Sequence, residues 1–482
     1  MVKILFLQQI WFPFQGVMTL SAALKRAGHE TAVAVGKDER LFKEIYEFKP
    51  DIIAFPVITS YRRFMIETVK KIKAKNIKAL IAIGGYDASF FPQIIEKLPI
   101  NVLCIGEGDD AFVEFANAVK EGKDYSHIKN LWVKHNGKII KNPIRSFKDL
   151  KNKPFDDRDI YRDYDSYFKD IEFEQVMVGR GCPYCCSYCF NHKYRELYAP
   201  VDKQYCALRD VDNVIEECLI LKNKYKVKNL FFNDSTLGYD KKWILKFLKE
   251  YRERVNMPFS INACANELTE DVCKALADTK QCYIIRLGLE TGNEDLRFNV
   301  LNKKMTNKQY MDATNLLKKY KLKYSMAVMF GLPGETLANS FETLDLAIKL
   351  SDKNTVVAVN IFKPFPKLNI TEYGVKHGFY KSELINDSNL IGDNVMNFFE
   401  CFRQDEEGRV ILNLSRLSQI YLHFPILRKL IRTKLIYRSD NAIYRAIWKF
   451  SDYYYTSRHH INASLPFLFK YVFKHMGKGV RG

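Results

Sequence analysis

The sequence predicts an α/β chain: an N-terminal doubly wound parallel sheet, a partial (β/α)6 barrel and a helical, basic C-terminal region. Three observations carry that expectation. Five continuous apolar runs alternate with helix-length segments before about residue 120, six more do so between about Ile171 and Ser351, and from about Tyr380 the pattern turns helical, aromatic and basic. At 482 residues the chain exceeds one hydrophobic core, and its 47% hydrophobic and 14% aromatic content is that of a globular protein. The expected units are 1–125, a hairpin and linker over 126–170, the barrel over 171–375 and the helical region over 376–482.

In the first unit VKILFLQ, ETAVAVG, DIIAFPV, ALIAIGG and NVLCIGE read as buried strands, with helices between them such as Ser60–Lys75. Continuous apolar strands separated by helices describe a parallel sheet covered on both faces. Ligands of such sheets sit over the strand C-termini. Here those ends supply Gln8, Gln9 and Trp11, then Thr59 and Ser60, Gly84 and Gly85, and Gly106, Glu107 and Gly108. Next, LWVKHNGKIIKN places Asn136-Gly137 between two short strands, a hairpin signal. Together with the segment around Pro154 it reads as an interdomain connection.

The second series of strands is FEQVMVG, KNLFFND, FSINACA, CYIIRLGLE, YSMAVMFG and VVAVNIF. Helical stretches include Asp212–Tyr225, Lys241–Val255 and Asn307–Tyr320. Six β/α units suggest a partial barrel, whose reactive face lies at the strand C-termini. The turn PFPKLN, Pro364–Asn369, departs from the proline- and glycine-containing turn expected after the sixth strand.

Directly after the first of these strands stands GRGCPYCCSYCFNH, with four cysteines in eight residues. Zinc sites pair two C-x2-4-C units or add two histidines, and only His192 is near. A disulfide would not need four cysteines in one loop and would be reduced in a cytoplasm. The remaining pattern, C-x3-C-x2-C at Cys182, Cys186 and Cys189, can hold three irons of a [4Fe–4S] cube and leave the fourth open. Cys185 falls outside it and reads as a bystander.

C-x3-C-x2-C on the first loop of a β/α barrel, with Tyr188 before the last cysteine, resembles the radical S-adenosylmethionine superfamily. The resemblance implies that the amino and carboxylate groups of S-adenosylmethionine chelate the open iron. It assigns the rest of that molecule to Tyr188, Asn233, Asp234, Arg286, Glu290 and Gly331, with Gly334 nearby. Taken one at a time, a carboxylate after a strand is as often a helix cap. A five-stranded α/β unit ahead of such a barrel, with GHET, GGYDAS and GEGDDAF, resembles the cobalamin-binding subfamily over about residues 1–370. The first unit would then be a Rossmann-like cobalamin-binding domain, with the corrin against Gln9, Trp11, Ser60, Gly84, Gly85, Glu107 and Gly108. The D-x-H-x-x-G fingerprint that gives cobalt a histidine is absent, and the one histidine before residue 120, His29, reads as structural.

The cofactors so implied, a [4Fe–4S] cluster, S-adenosylmethionine and cobalamin, would generate a 5′-deoxyadenosyl radical and transfer a methyl group to an unactivated carbon of a small-molecule or lipid substrate. A ring closure or oxidative rearrangement without methyl transfer is the alternative. A reductant such as flavodoxin or ferredoxin is implied. RNA modification is a further reading, and nucleic acid is not the expected partner. The relatives that modify RNA carry three more cysteines in the first domain, where this chain has only Cys104, and they end in a β-rich domain.

Eleven cysteines scattered over a large chain do not form a secreted scaffold. MVKILFLQQIWF reads as a strand, not a signal peptide, and no apolar run is long enough to span a membrane, so a cytoplasmic setting is expected. The net charge of +19 is concentrated at the end: residues 411–482 hold thirteen Lys or Arg against two acids, an excess of +11. Basic segments rich in Leu, Ile, Phe and Tyr suit an anionic membrane surface; a helical cap over the barrel is the competing expectation. The pair His459 and His460 reads as surface.

Overall fold

The computed structural model describes residues 1–10, 12–147, 150, 153–164, 173–203, 205–384, 406–438 and 446. Five parallel strands, β1 (Lys3–Gln8), β2 (Glu30–Val35), β3 (Ile52–Pro56), β4 (Leu80–Gly84) and β5 (Val102–Cys104), follow the five apolar runs. Their side chains alternate between two cores. Leu5, Leu7, Ile53, Phe55, Ile81 and Ile83 pack on one face; Ile4, Phe6, Ile52, Ala54, Ala82 and Val102 pack on the other. Burial on both faces is why these strands read as unbroken apolar runs.

The hairpin β6 (Leu131–His135) and β7 (Lys138–Lys141) corrects one expectation. It is not a free connection but continues the first sheet, antiparallel to β5, in the order β2-β1-β3-β4-β5-β6-β7. Leu131 and Val133 are fully buried and dock it there. Positive φ at Asn136 (48°) and Gly137 (74°) makes the tight turn whose twist matches the strands.

The second sheet holds all six expected strands: β8 (Phe173–Val176), β11 (Asn229–Phe232), β12 (Phe259–Ala263), β13 (Cys282–Glu290), β14 (Tyr324–Phe330) and β15 (Val356–Ile361). They run parallel in sequence order from β8 to β15. A small antiparallel ribbon, β9 (Gly179–Gly181) with β10 (Cys206–Leu208), brackets the cysteine loop and was not expected. Its glycines are required by contact: a Cβ on Gly179 would lie 2.3 Å from the Ala207 carbonyl oxygen.

The helix Glu406–His423 packs along β15 and along the helix Leu337–Leu350. Gln419 Nε2 donates to the Val357 carbonyl at 2.8 Å, and Tyr421 O–H to Asp345 at 2.8 Å. The Arg432 guanidinium lies 4.2 Å from the centre of the Phe341 ring. Described residues of the basic tail are thus a cap on the outside of the barrel. The rest of the 411–482 segment, with His459 and His460, lies outside the described residues. Among the described residues no helix is long and apolar enough to cross a membrane.

Candidate functional site

The loop from Gly181 to Cys189 is held by bonds from every side. Cys182 N–H donates to the Tyr205 carbonyl at 3.0 Å, and Ser187 N–H to that of Leu301 at 2.9 Å. Ser187 Oγ donates to the Val300 carbonyl at 2.6 Å, and Asn302 Nδ2 to the Cys185 carbonyl at 2.8 Å. Tyr184 O–H donates to Glu267 at 2.9 Å, and Arg195 to the Pro183 carbonyl at 2.8 Å. Leu296–Val300, which supplies part of this support, is a π-helical turn, a distortion frequent at functional sites.

Burial pushes the Cys186 thiol up to about 11 and raises Cys182 and Cys189 too, with neighbouring cysteines adding to the effect at Cys182 and Cys186. Bonding to positively charged iron is what would hold such thiols as thiolates. Among the described residues no group of three or more His, Cys, Asp or Glu side chains is arranged to grip a single ion. A four-iron cube does not ask for one, because each thiolate binds a different iron. Three cysteines on one fixed loop are a donor set that suits such a cube. Cys264, just past β12, shares this electrostatic neighbourhood, and burial pushes its thiol up to about 12.

Two of the residues named from the sequence meet at the mouth. Tyr188 O–H donates to Glu290 Oε1 at 2.9 Å. Glu290 has a left-handed φ of 65°, and the register between β13 and β14 slips between Gly288 and Glu290. Such a bulge re-aims a side chain. The third member, Lys303, was not found from the sequence: its Nζ lies 3.0 Å from Glu290 Oε1 and 2.5 Å from the Gly288 carbonyl oxygen. The opposite charge keeps a buried ammonium protonated, so Lys303 stands above the usual lysine range despite burial.

Asp234 has other work than gripping a ligand. Its two oxygens accept from the Val178 and Gly179 N–H groups, each at 2.9 Å, and burial raises its pKa to about 7. It anchors the chain leading into the cysteine loop. Asn233 Nδ2 donates to Gln175 at 2.8 Å on the wall of the cleft described below. Arg286 stacks on the Phe231 ring at 3.9 Å, and burial lowers its pKa to about 10. Gly331 N–H donates to the buried Glu335 at 2.6 Å, which shapes the FGLPGET turn; Gly334 follows with φ 80°. The Pro364–Asn369 turn packs on the helix Phe190–Tyr198: Asn369 lies 2.9 Å from His192 Nε2, and Phe365 rests on Phe190.

A cleft of about 560 Å³ separates the strand ends of the first sheet from the barrel. Gly84, Gly85, Gly106, Glu107 and Gly108 line one wall, and Asn191, Arg209 and Asn233 are on the other. Gln9 and Ser60 are not among the lining residues, and Trp11 lies outside the described residues. Gln8 is spent on Phe12 and Tyr161, while Thr59 is buried. Apart from a few polar residues, among them Glu107 and Asp109 paired with Arg180, the wall is glycine backbone and apolar side chain such as Phe12, Phe14 and Ile58, which suits a broad planar ring approaching closely. His29 takes no part: it bonds Val2 N–H and Asn117 at the other end of the strands. Sequence reasoning also missed the buried pair Arg62–Asp87, with contacts of 2.5 and 2.8 Å, which holds the turn following Gly85.

Two family models match the chain: the B12 binding domain over residues 10–116 and the Radical SAM superfamily over residues 176–347. An uncharacterized methyltransferase of Pyrococcus horikoshii is 28% identical over 373 residues, covering 73% of this chain and 77% of that protein. The anaerobic magnesium-protoporphyrin IX monomethyl ester cyclase of Rubrivivax gelatinosus is 23% identical, covering 88% and 77%. Among solved structures, the cobalamin-dependent S-adenosylmethionine radical enzyme OxsB superposes with a TM-score of 0.66 at 13% identity, over 99% of this chain and 75% of that one. The radical S-adenosylmethionine methyltransferase TsrM of Kitasatospora setae gives 0.63 at 17%, over 78% and 76%. With a B12-binding unit ahead of a radical barrel, each matched by its own model, the chain belongs to the cobalamin-binding radical S-adenosylmethionine enzymes.

Proposed function

We propose that this enzyme transfers a methyl group to an unactivated carbon of a small-molecule substrate. The observation that carries the reading is the cleft, which sets the glycine-lined strand ends of the first sheet opposite the mouth of the cysteine-bearing barrel. Cys182, Cys186 and Cys189 would hold the [4Fe–4S] cluster, and Gly84, Gly85 and Gly108 would stand along the corrin, whereas the Glu107 side chain is turned to Arg180 and Tyr205. When bound, the cluster with S-adenosylmethionine supplies hydrogen abstraction from carbon, and cobalamin supplies the methyl group. The chain's own work is positioning and exclusion of water. The half-buried Tyr188 and the buried Glu290 and Lys303 form one group beside the cysteines, with a carboxylate and a hydroxyl able to orient a ribose and an ammonium able to meet a carboxylate. Asn233 lines the cleft, Arg286 stands on β13 four residues before Glu290, and Gly331 follows the end of β14.

The names of the methyltransferase relatives support the reading at the level of reaction class. Ring closure without methyl transfer is the second reading, favoured by the cyclase relative that covers 88% of this chain. Anaerobic protein would be incubated with candidate substrates, a flavodoxin or ferredoxin reductant and S-adenosylmethionine carrying a labelled methyl group. Label in the product is the expected result; product formed without label transfers the assignment to the cyclase reading.

The position of the described part of the tail, residues 411–438, favours a dissolved substrate over one drawn from a membrane. Glu407 bonds the start of the helix Leu337–Leu350, whereas Gln419 and Tyr421 reach the early part of β15 and the far half of that helix. The exposed Phe424, Ile426 and Leu430 therefore sit toward the end of the barrel opposite its mouth. A bilayer held there would not face the site.

A further inference from the structure

The chain on both sides of the cysteine loop reaches back to the first sheet, and one ion pair makes much of that contact. Arg180 lies in β9, two residues before Cys182. Its Nη1 is 2.7 Å from Glu107 Oε2 and 2.5 Å from Asp109 Oδ2. The other Glu107 oxygen accepts from Tyr205 O–H at 2.5 Å, and Glu107 N–H donates to the Tyr198 hydroxyl at 2.7 Å. Tyr205 in turn gives its carbonyl to Cys182 N–H at 3.0 Å. Lys153, 3.7 Å from Asp109, adds a second cation, so two carboxylates face two positive charges.

This junction has no slack. A Cβ on Gly181 would lie 1.9 Å from the Tyr205 carbonyl oxygen, and one on Gly106 would lie 2.3 Å from the Tyr198 hydroxyl. From its place on the cleft wall Glu107 looks like a corrin contact, yet each of its oxygens is engaged by the barrel side. The geometry points to Glu107 and Arg180 as a positioning clamp: their ion pair sets how far the cysteine loop stands from the strand ends that line the cleft. Neither residue needs to touch a cofactor, since an ångström of misplacement between reacting groups is enough to cost about 10²-fold in rate. The clamp rests on the cobalamin-dependent radical reading but not on whether a methyl group reaches the product.

The test uses the full chain, reconstituted with iron and sulfide and loaded with hydroxocobalamin, as wild type, Glu107→Gln, Arg180→Lys, Arg180→Met and the Glu107→Gln/Arg180→Met double variant. Iron content, hydroxocobalamin affinity by absorbance titration, and the spin coupling between cob(II)alamin and the reduced cluster by pulsed electron paramagnetic resonance are measured on each. The clamp predicts full iron loading and unchanged corrin affinity, with the spin coupling shifted or broadened alike in the single and double variants, because the two residues act as one unit. Weaker hydroxocobalamin binding in Glu107→Gln alone would make Glu107 a corrin contact and overturn the clamp. A lowered melting temperature with the spin coupling unchanged would also overturn it, by reducing the pair to a structural one. Should Arg180→Met fail to fold, Arg180→Lys, which keeps the charge but not the forked donor, decides alone.

Discussion

The two walls of the cleft are built on opposite principles. Behind the barrel-side wall, charged and polar side chains crowd together: Glu290, Lys303 and Asp234 are buried, Tyr188 is half-buried, and each is bonded. On the sheet side, backbone dominates, with glycines 84, 85, 106 and 108 and the apolar Phe12, Phe14 and Ile58. A ligand chelated at iron and recognised by its polar groups needs the first kind of wall. A broad corrin held mainly by area needs the second. Substitutions on the barrel side should therefore act through charge and coordination, and those around the first sheet should leave the cofactor's electronic state alone.

The largest effect belongs to the cysteines. Replacing Cys182, Cys186 or Cys189 by Ala removes one of the three proposed protein ligands, and iron retention and radical activity should be lost together, read by iron assay and cluster absorbance. Cys185→Ala should retain both, because Asn302 holds the Cys185 carbonyl and not its thiol. Equal loss in Cys185→Ala would break the three-ligand assignment. Next comes Lys303→Met, which leaves the Glu290 carboxylate uncompensated in the interior. Breaking a buried pair costs about 3–5 kcal/mol, so the melting temperature should fall clearly. Glu290→Gln/Lys303→Met should recover part of that loss, and a double variant no better than the single would show that the pair is not the cause.

A third effect depends on pH. Asp234 has a folded-state pKa of about 7 against an ordinary 3.8, chiefly through burial, with the two backbone donors pulling the other way. Between those values the folded chain keeps a proton that the unfolded chain releases. Its contribution to stability is therefore complete below about pH 4 and declines as pH rises through 7, by about 1.4 kcal/mol per pH unit where the difference is full. Denaturant unfolding at several pH values should show that slope in the wild type and its absence in Asp234→Asn.

The fold was legible because both sheets are parallel and buried on both faces, so their strands appear as unbroken apolar runs. The three candidate cluster cysteines stand out in the sequence because they lie within one loop at a fixed spacing. What escaped was every contact made across the chain without a residue-type signature. Lys303 reaches Glu290 only because the π-helical turn Leu296–Val300 and a left-handed Asn302 (φ 49°) bring the chain back. Asp234 looked like a ligand residue because its partners are backbone N–H groups, which no sequence pattern reveals. The ribbon of β9 and β10 is three residues a side, with two glycines in β9, too short for a period-two signal. Gln9 and Ser60 follow strand ends yet do not line the cleft, because a strand end belongs to it only where its loop turns toward the barrel.

The smallest expected effect tests the sheet side most directly. His29 accepts from Val2 N–H at 3.3 Å and lies 3.0 Å from Asn117, and burial holds its pKa below the ordinary imidazole value. It stands at the start of β2, whereas Gly84 and Glu107 stand at the far ends of β4 and β5. His29→Ala should therefore cost about 1 kcal/mol in folding through the lost bonds and leave the absorbance and paramagnetic spectra of bound cobalamin unchanged. A spectrum that moved would mean that the imidazole senses the cobalt across the length of the sheet, and a corrin seated on glycine and apolar surface alone would no longer describe this wall.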